Sequence, residues 1–220
     1  YALYVIEKLF SKKDIVIMTG GTGLYVRAFC EGMDMIPAVE DAVREQVIKG
    51  YQQAGLPWLQ QQLLEKDPAW AASGEMLNPQ RAMRALEVRL QTGQSILQFQ
   101  KEKKAERPFN IIKLGLQLPR PQLYAQINHR VELMMAEGLE EEARALQPYS
   151  ALNALQTVGY SEMFDYFNGR LSLAEAVDEI KKHTRHYAKR QLTWFLKDSS
   201  IKWFSPLDHN QLINYLLKLV

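Results

Sequence analysis

Three short apolar runs, set far apart, constrain the fold of this chain more than any other feature. They are Asp14–Met18 (DIVIM), Ile111–Leu118 (IIKLGLQL) and Ile201–Phe204 (IKWF). Each has the length and apolar content of a buried strand. Strands this distant in sequence are not joined by hairpins. They need long crossover connections, and those go with parallel pairing. The first run leads through Thr19, Gly20, Gly21, Thr22 and Gly23 into a helical pattern at Leu24–Phe29. Strand, glycine turn and helix in succession mark an α/β body.

Between the first two runs, from about Pro37 to Arg107, only helical patterns occur: Asp41–Ala54, Pro57–Glu65 and Pro79–Gln91. The last is punctuated at both ends, with Asn78 as N-cap, Pro79 at the first helical position and Gly93 just past the end. This predicts an all-helical domain, residues 37–107, inserted into an α/β body made of residues 1–36 and 108–220. The polar run Lys101–Arg107 (KEKKAER) would mark its exit. Further helices are expected at Pro121–Glu137, Leu139–Leu146, Tyr160–Asn168, Leu173–Phe195 and Asp208–Leu217, so helix should dominate overall. The chain opens without Met, inside a pattern that puts Leu3, Ile6 and Phe10 on one helix face. The expectation is a fragment whose N-terminal part is absent.

Charge is concentrated in one place. Lys181–Lys197 (KKHTRHYAKRQLTWFLK) holds six Lys or Arg, two His and no Asp or Glu, in a chain of net charge +2. At about 100° per residue, Val177, Ile180, Thr184, Tyr187, Ala188, Gln191, Trp194 and Phe195 share one arc. Lys182, Arg185, His186, Lys189, Arg190, Thr193 and Lys197 fall opposite or at its margins. The first arc would pack on a core, burying Trp194. The second is either a solvated face or a platform for a polyanion such as RNA. The missing acids favour RNA, because exposed helices usually interleave Glu with Lys.

Other candidates are less specific. GGTGLY (Gly20–Tyr25) is either a tight turn or an anion site at a helix N-terminus. Arg130 falls near the angle of Leu123 on an apolar stripe of Leu123, Ile127, Val131 and Met134. A core-facing guanidinium needs an anion, either a buried carboxylate or a substrate phosphate. Arg81 and Arg84 lie three apart near a helix start and are either two exposed arginines or a shared contact. Gln156–Ser161 reads as a polar turn before a helix. The single Cys30 excludes an internal disulfide and fits a reducing, cytosolic setting. No apolar run reaches the roughly 18 residues of a membrane helix. No Walker-type phosphate loop, zinc-spaced ligand set or Gly-x-Ser-x-Gly motif occurs in this sequence.

Five segments, in order, resemble the tRNA dimethylallyltransferase (tRNA isopentenyltransferase) family: GGTGLY (Gly20–Tyr25), NPQRAMRALEV (Asn78–Val88), INHRVELMMAEGL (Ile127–Leu139), TVGYSEM (Thr157–Met163) and TRHYAKRQLTWF (Thr184–Phe195). The resemblance implies a P-loop-like parallel sheet flanked by helices, present here in part, with the helical insertion. It implies transfer of a dimethylallyl group from dimethylallyl diphosphate to N6 of the adenine 3′-adjacent to the anticodon, with Mg²⁺. Thr22 and Arg130 would be catalytic, and Arg130 and Arg185 would hold the diphosphate. The tRNA anticodon stem-loop would be met by Arg44, Gln80, Arg81 and Arg84, by Gln156, Thr157, Gly159 and Tyr160, and by Lys189, Arg190, Gln191, Thr193 and Trp194. No protein metal ligand is expected. The resemblance further implies a cytoplasmic, nucleotide-binding, monomeric enzyme with no membrane partner. The family's phosphate loop and general-base Asp precede GGTGLY and have no counterpart here, so residues 1–220 alone are expected to be inactive. Two other readings stand beside this one: another P-loop enzyme resembling a nucleotide kinase, and a non-catalytic helical RNA-binding module.

Overall fold

The computed structural model describes residues 1–100 and 104–219. Contacts divide the chain into two compact units, one of Tyr1–Ser11 with Arg27–Pro108, the other of Lys12–Val26 with Phe109–Val220. The expected body segment 1–36 is therefore divided. Its residues 12–26 join the sheet-bearing unit, while Tyr1–Ser11 and the chain from Arg27 group with the helices. Hydrogen bonds give the reason for the second grouping. Ala105 N–H donates to Glu31 O at 2.7 Å, and Arg107 donates to Phe29 O at 2.8 Å and Ala28 O at 3.2 Å. Lys101–Lys103, the start of the expected exit, lie outside the described residues.

The first unit contains α1 (Ala2–Phe10), most of α2 (Gly23–Glu31), α3 (Asp41–Lys66), α4 (Pro68–Ala71) and α5 (Pro79–Thr92). The two helices expected between Asp41 and Glu65 are both present within α3, separated by a break at Gly55. Gly55 absorbs the kink at φ +68°, ψ −163°, two residues before Pro57. Asn78 caps α5 by accepting from Arg81 N–H at 3.3 Å, and Gly93 ends it. Val47, Leu59 and Leu63 of α3 pack with Trp70, Ala82, Ala85, Leu86, Val88 and Ile96 in a closed core. The small Ala82 and Ala85 let α3 and α5 approach closely.

The second unit is built on β1 (Leu114–Leu116) and β2 (Lys202–Phe204), which pair in parallel with Leu114 opposite Lys202 and Leu116 opposite Phe204. Two further bonds extend the register: Lys202 N–H to Lys113 O at 3.0 Å, and Gln117 N–H to Phe204 O at 2.9 Å. Lys113 Nζ also reaches Asp198 Oδ2 at 2.6 Å, tying the approach to β1 to the turn before β2. Between the strands run α6 (Arg120–Ala136), α7 (Leu139–Leu146), α8 (Tyr160–Phe167) and α9 (Leu173–Phe195), and α10 (His209–Leu216) follows β2. Val131, Leu139, Ala143, Met163 and Ile180 form the core between these helices.

The expected first strand is not formed. Residues 14–18 have no ladder partner among the described residues, and Ile15, Ile17 and Met18 are 56%, 82% and 45% exposed. β-branched composition gives a tendency to extend, but a strand exists only where an edge accepts its hydrogen bonds. Among the described residues, no helix is long and apolar enough to cross a membrane.

Candidate nucleic-acid interface

α9 organises the site. It starts at a capping box in which Ser172 Oγ accepts from Glu175 N–H at 3.3 Å and Glu175 Oε2 accepts from Ser172 N–H at 2.7 Å. The bond from Ser172 N–H, with a second from Ser172 Oγ at 2.7 Å, holds the Glu175 carboxyl below its usual range. α9 lies antiparallel along α6. Lys181 Nζ meets Glu132 Oε1 at 2.9 Å, and Arg185 Nη1 meets Asn128 Oδ1 at 2.8 Å with its guanidinium 5.8 Å from the Tyr124 ring centre. Further along, Lys189 shares a cavity of about 570 Å³ with Arg120, Leu123 and Tyr124 of α6 and with Trp203 and Ser205 at the end of β2.

The basic stretch is not uniform. Its N-terminal part has acid partners that come from elsewhere in the chain or from the preceding turn. Lys181 pairs with Glu132, Lys182 with Glu179 at 2.8 Å, and a His183 ring nitrogen lies 2.5 Å from Glu162 Oε1. The bond from Lys181 holds Glu132 below its usual range, and the bond from Lys182 does the same for Glu179. From Arg185 onward the pattern changes. Arg185, Lys189, Arg190 and Lys197 have no carboxylate partner among the described residues. Arg190 lies over the Tyr187 ring at 5.7 Å. His186, Lys189, Arg190, Thr193, Trp194 and Lys197 line one open groove of about 380 Å³. Cations beside an exposed indole are the components of a single-strand nucleic-acid platform.

Two side chains lie elsewhere than expected. Trp194 is 39% exposed and Tyr187 42%, so the arc that carries them is not a wholly buried face. Core contacts of α9 are concentrated at Ala176 and Ile180, and its C-terminal half is held by fewer neighbours. Arg130 is exposed, with no hydrogen-bond or ion-pair partner among the described residues. The buried line of α6 runs through Ile127 and Val131, centred about 60° from Leu123 at 100° per residue. Arg130 therefore falls roughly 80° off that line. On α9, Arg185 is part-buried without a carboxylate partner among the described residues.

The glycine turn lies against α9. Thr22 is exposed, and its carbonyl accepts from Val26 N–H at 3.0 Å, which puts it at the N-cap position of α2. Gln191 Nε2 donates to Gly21 O at 2.8 Å across 170 residues. A Cβ on Gly21 would overlap the Gln191 amide, and one on Gly23 would overlap the Trp194 ring. A side chain at either position would have to displace the α9 side chain that now takes its space.

The turn Gln156–Ser161 is internally braced. Gln156 Nε2 donates to Ser150 O at 2.5 Å, and Thr157 O accepts from Ser161 N–H at 3.1 Å. Gly159 is buried at φ +106°, and its N–H donates to Glu162 Oε2 at 2.7 Å. Tyr160 donates its hydroxyl to Glu142 at 2.6 Å, and that bond raises the phenol pKa. Glu162 is a residue the sequence reading passed over. It is buried, with one oxygen on Gly159 and the other on His183. The spacing Gly159-x-x-Glu162, an acid three residues into a helix, was its available signal.

In the helical unit, Arg44 and Gln80 are exposed. Arg81 pairs with Glu75, and Arg84 reaches Glu87 Oε2 at 3.4 Å and Pro37 O at 3.3 Å. Arg81 and Arg84 thus have separate intramolecular partners.

The model of the IPP transferase family matches residues 1–198. The chain is similar to tRNA dimethylallyltransferase of Christiangramia forsetii, 45% identical over 92% of this chain and 67% of that protein. It is also similar to tRNA dimethylallyltransferase of Cytophaga hutchinsonii, 44% identical over 97% of this chain and 70% of that protein. Among solved structures it resembles the tRNA isopentenylpyrophosphate transferase of Bacillus halodurans, with TM-score 0.62 and 32% identity, covering 99% of this chain and 69% of that one. A eukaryotic dimethylallyltransferase acting on tRNA shares the fold at TM-score 0.72 and 22% identity, over 94% of this chain and 56% of that one. A family match across most of its length and relatives this close place the chain in the IPP transferase family.

Proposed function

We propose that the protein is a tRNA dimethylallyltransferase, moving the dimethylallyl group of dimethylallyl diphosphate to N6 of the adenine 3′-adjacent to a tRNA anticodon. The observation that carries this reading is the strip of acid-free cations Arg185, Lys189 and Arg190 on α9 and Lys197 just past its end, beside an exposed Trp194 and against the turn that bears Thr22. A structural helix face has no need to leave four cations without carboxylates, and a phosphate backbone supplies the missing anions.

The reaction has simple electron balance. The N6 lone pair attacks C1 of the allyl group, the C1–O bond breaks with its electrons leaving on diphosphate, and N6 loses a proton. Arg185 and Arg130 are the proposed diphosphate ligands. Arg185 is part-buried and acid-free, and Arg130 is unengaged, so neither must abandon a carboxylate to stabilise the leaving group. Thr22 is proposed beside the reacting amine. The adenine must leave its stack to get there, which costs least in an unpaired loop. Lys189, Arg190, Thr193 and the turn Gln156, Thr157, Gly159 and Tyr160 are proposed to receive the anticodon stem-loop. In the helical unit Arg44 and Gln80 are unengaged, whereas Arg81 and Arg84 would exchange Glu75 and Glu87 for phosphate.

Mg²⁺, monomeric state and cytoplasmic location remain part of the proposal. Among the described residues no group of three His, Cys, Asp or Glu side chains forms a metal cage; Mg²⁺ is ordinarily held by substrate phosphates with one or two carboxylates, so the ion would be bound here chiefly through the diphosphate, whose charge it would help to neutralise. The test is transfer of labelled dimethylallyl by the full-length protein to an anticodon stem-loop carrying adenine 3′ of the anticodon, against one carrying guanine there. Transfer to the adenine loop alone is expected. Phosphate transfer to a free nucleotide would favour the kinase-like reading, and RNA binding without transfer would favour a non-catalytic module.

A further inference from the structure

Residues 12–22 are almost without anchors. They form no regular element, and among the described residues the sole side-chain hydrogen bond to them is the one from Gln191 to Gly21 O. Trp194, one turn further along α9, occupies the space a side chain at Gly23 would need. We propose that Gln191 and Trp194 are positioning residues that fix the Gly20–Gly23 turn, and with it Thr22, on the helix that binds tRNA. The proposal rests on the functional reading above and changes the role of these two side chains within it, from contacting RNA to placing a catalytic group.

The geometry of α9 separates the two roles. At about 100° per residue, Gln191 and Trp194 are roughly 60° apart, while Lys189 and Thr193 point roughly 160° from Gln191. Within one short segment, Lys189 is turned away from the turn with no carboxylate partner among the described residues, Thr193 donates its hydroxyl to Lys189 O at 2.9 Å, and Gln191 is half-buried and engaged with the turn. Its amide is the right group for the purpose. It donates to a backbone carbonyl at 2.8 Å, carries no charge to compete with Lys189 and Arg190 for RNA, and reaches the turn only because Gly21 lacks a Cβ. RNA docking on one face of α9 and placement of Thr22 on the other therefore share a single rigid element.

The test is Gln191→Met, which keeps length and helix propensity and removes the donor, together with Gly21→Ala, whose methyl displaces the same amide from the other side. In the full-length protein, kcat for prenyl transfer should fall about 10- to 100-fold, the scale of misplacing a catalytic group by an ångström. Affinity for the anticodon stem-loop should stay within about twofold, a split expected of placement and not of RNA contact. The double variant should be no worse than either single one, since both break the same contact. Hydrogen exchange of the Thr19–Leu24 amides should quicken in Gln191→Met and in Trp194→Ala, with exchange in residues 177–188 unchanged. A roughly tenfold or greater loss of stem-loop affinity with kcat preserved would make Gln191 an RNA contact and overturn the proposal. Unchanged exchange in the turn would overturn it as well. If the wild-type protein transfers no prenyl group, the functional reading fails, and the exchange measurements still decide whether Gln191 and Trp194 hold the turn.

Discussion

The division of the basic stretch into paired and unpaired cations gives a quantitative test. Each phosphate neutralised on a single strand contributes about −0.7 to the slope of log affinity against log salt, and about −0.9 on a duplex. Lys189 and Arg190 are exposed and have no carboxylate partner among the described residues. Replacing both by Gln should make the slope for an anticodon stem-loop shallower by about 1.4 if they meet the loop, or about 1.8 if they meet the stem. If the lines for wild type and variant converge near 1 M salt, the loop value corresponds to a roughly 25-fold loss of affinity at 0.1 M. Lys181 and Lys182 provide the control on the same helix. Their ammonium groups are already held by Glu132 and Glu179, so converting both to Gln should leave the slope nearly unchanged. Fluorescence anisotropy with a labelled stem-loop from 50 to about 300 mM salt reads both. Gln retains helix propensity, and circular dichroism checks that α9 survives. Equal slopes for wild type and the Lys189/Arg190 variant would show the face to be merely solvated. An equal effect from the Lys181/Lys182 variant would show that only net charge matters and that the pairing is irrelevant.

Arg130→Ala should reduce kcat/KM for the diphosphate substrate by about 2–4 kcal/mol of transition-state stabilisation with unchanged thermal stability, because Arg130 is exposed; unfolding without a kinetic defect would refute a ligand role. Burial works against ionising Asp198, but the bonds from Lys113 and Ser200 outweigh it and lower its pKa to about 2. Its contribution to stability is therefore complete above the unfolded carboxyl value near 4 and is lost as pH falls toward 2. After allowance for solvent screening this is worth about 1 kcal/mol, and urea unfolding of Asp198→Asn should show that deficit at pH 6 and only a small part of it at pH 2. Leu63→Ala, in the closed core of the helical unit, should cost about 2–5 kcal/mol in the same assay; a loss below 1 kcal/mol would mean that this core is loosely packed. Trp194→Ala should cost less, about 1–2 kcal/mol, since the ring is 39% exposed.

Helix positions were legible in the sequence because their signals are local. Asn78, Pro79 and Gly93 punctuate α5, and the observed helix begins and ends there. The parallel pairing of β1 with β2 followed from their separation and from connection rules, which need only sequence distance. Asp14–Met18 shows the limit of this. Its composition is that of a strand, but pairing is a property of an edge elsewhere, and composition does not report the edge. The break inside α3 was visible too: the helical patterns Asp41–Ala54 and Pro57–Glu65 stop short of one another, and Gly55, which lies between them, is non-helical.

Side-chain roles were less legible, since a helical wheel fixes angles within one helix and not where its neighbours lie. On α6 the apolar stripe suggested a buried line through Leu123, but α9 packs along Ile127 and Val131. That shift turns Arg130 outward and leaves the buried-cation role to Arg185, whose neighbours Tyr124 and Asn128 sit on the next strip of α6. The same reasoning applies to the missing acids of Lys181–Lys197. Their absence from the local sequence favoured RNA, yet Glu132 and Glu162 arrive from other helices and neutralise the first turn and a half. What survives is the narrower claim for Arg185 to Lys197, where no such acid arrives among the described residues. The contact between Gln191 and Gly21 had no sequence signal at all. A glycine-rich turn suggests an approaching ligand as readily as an approaching side chain, and only the position of α9 shows that the Gln191 amide and the Trp194 ring take that space.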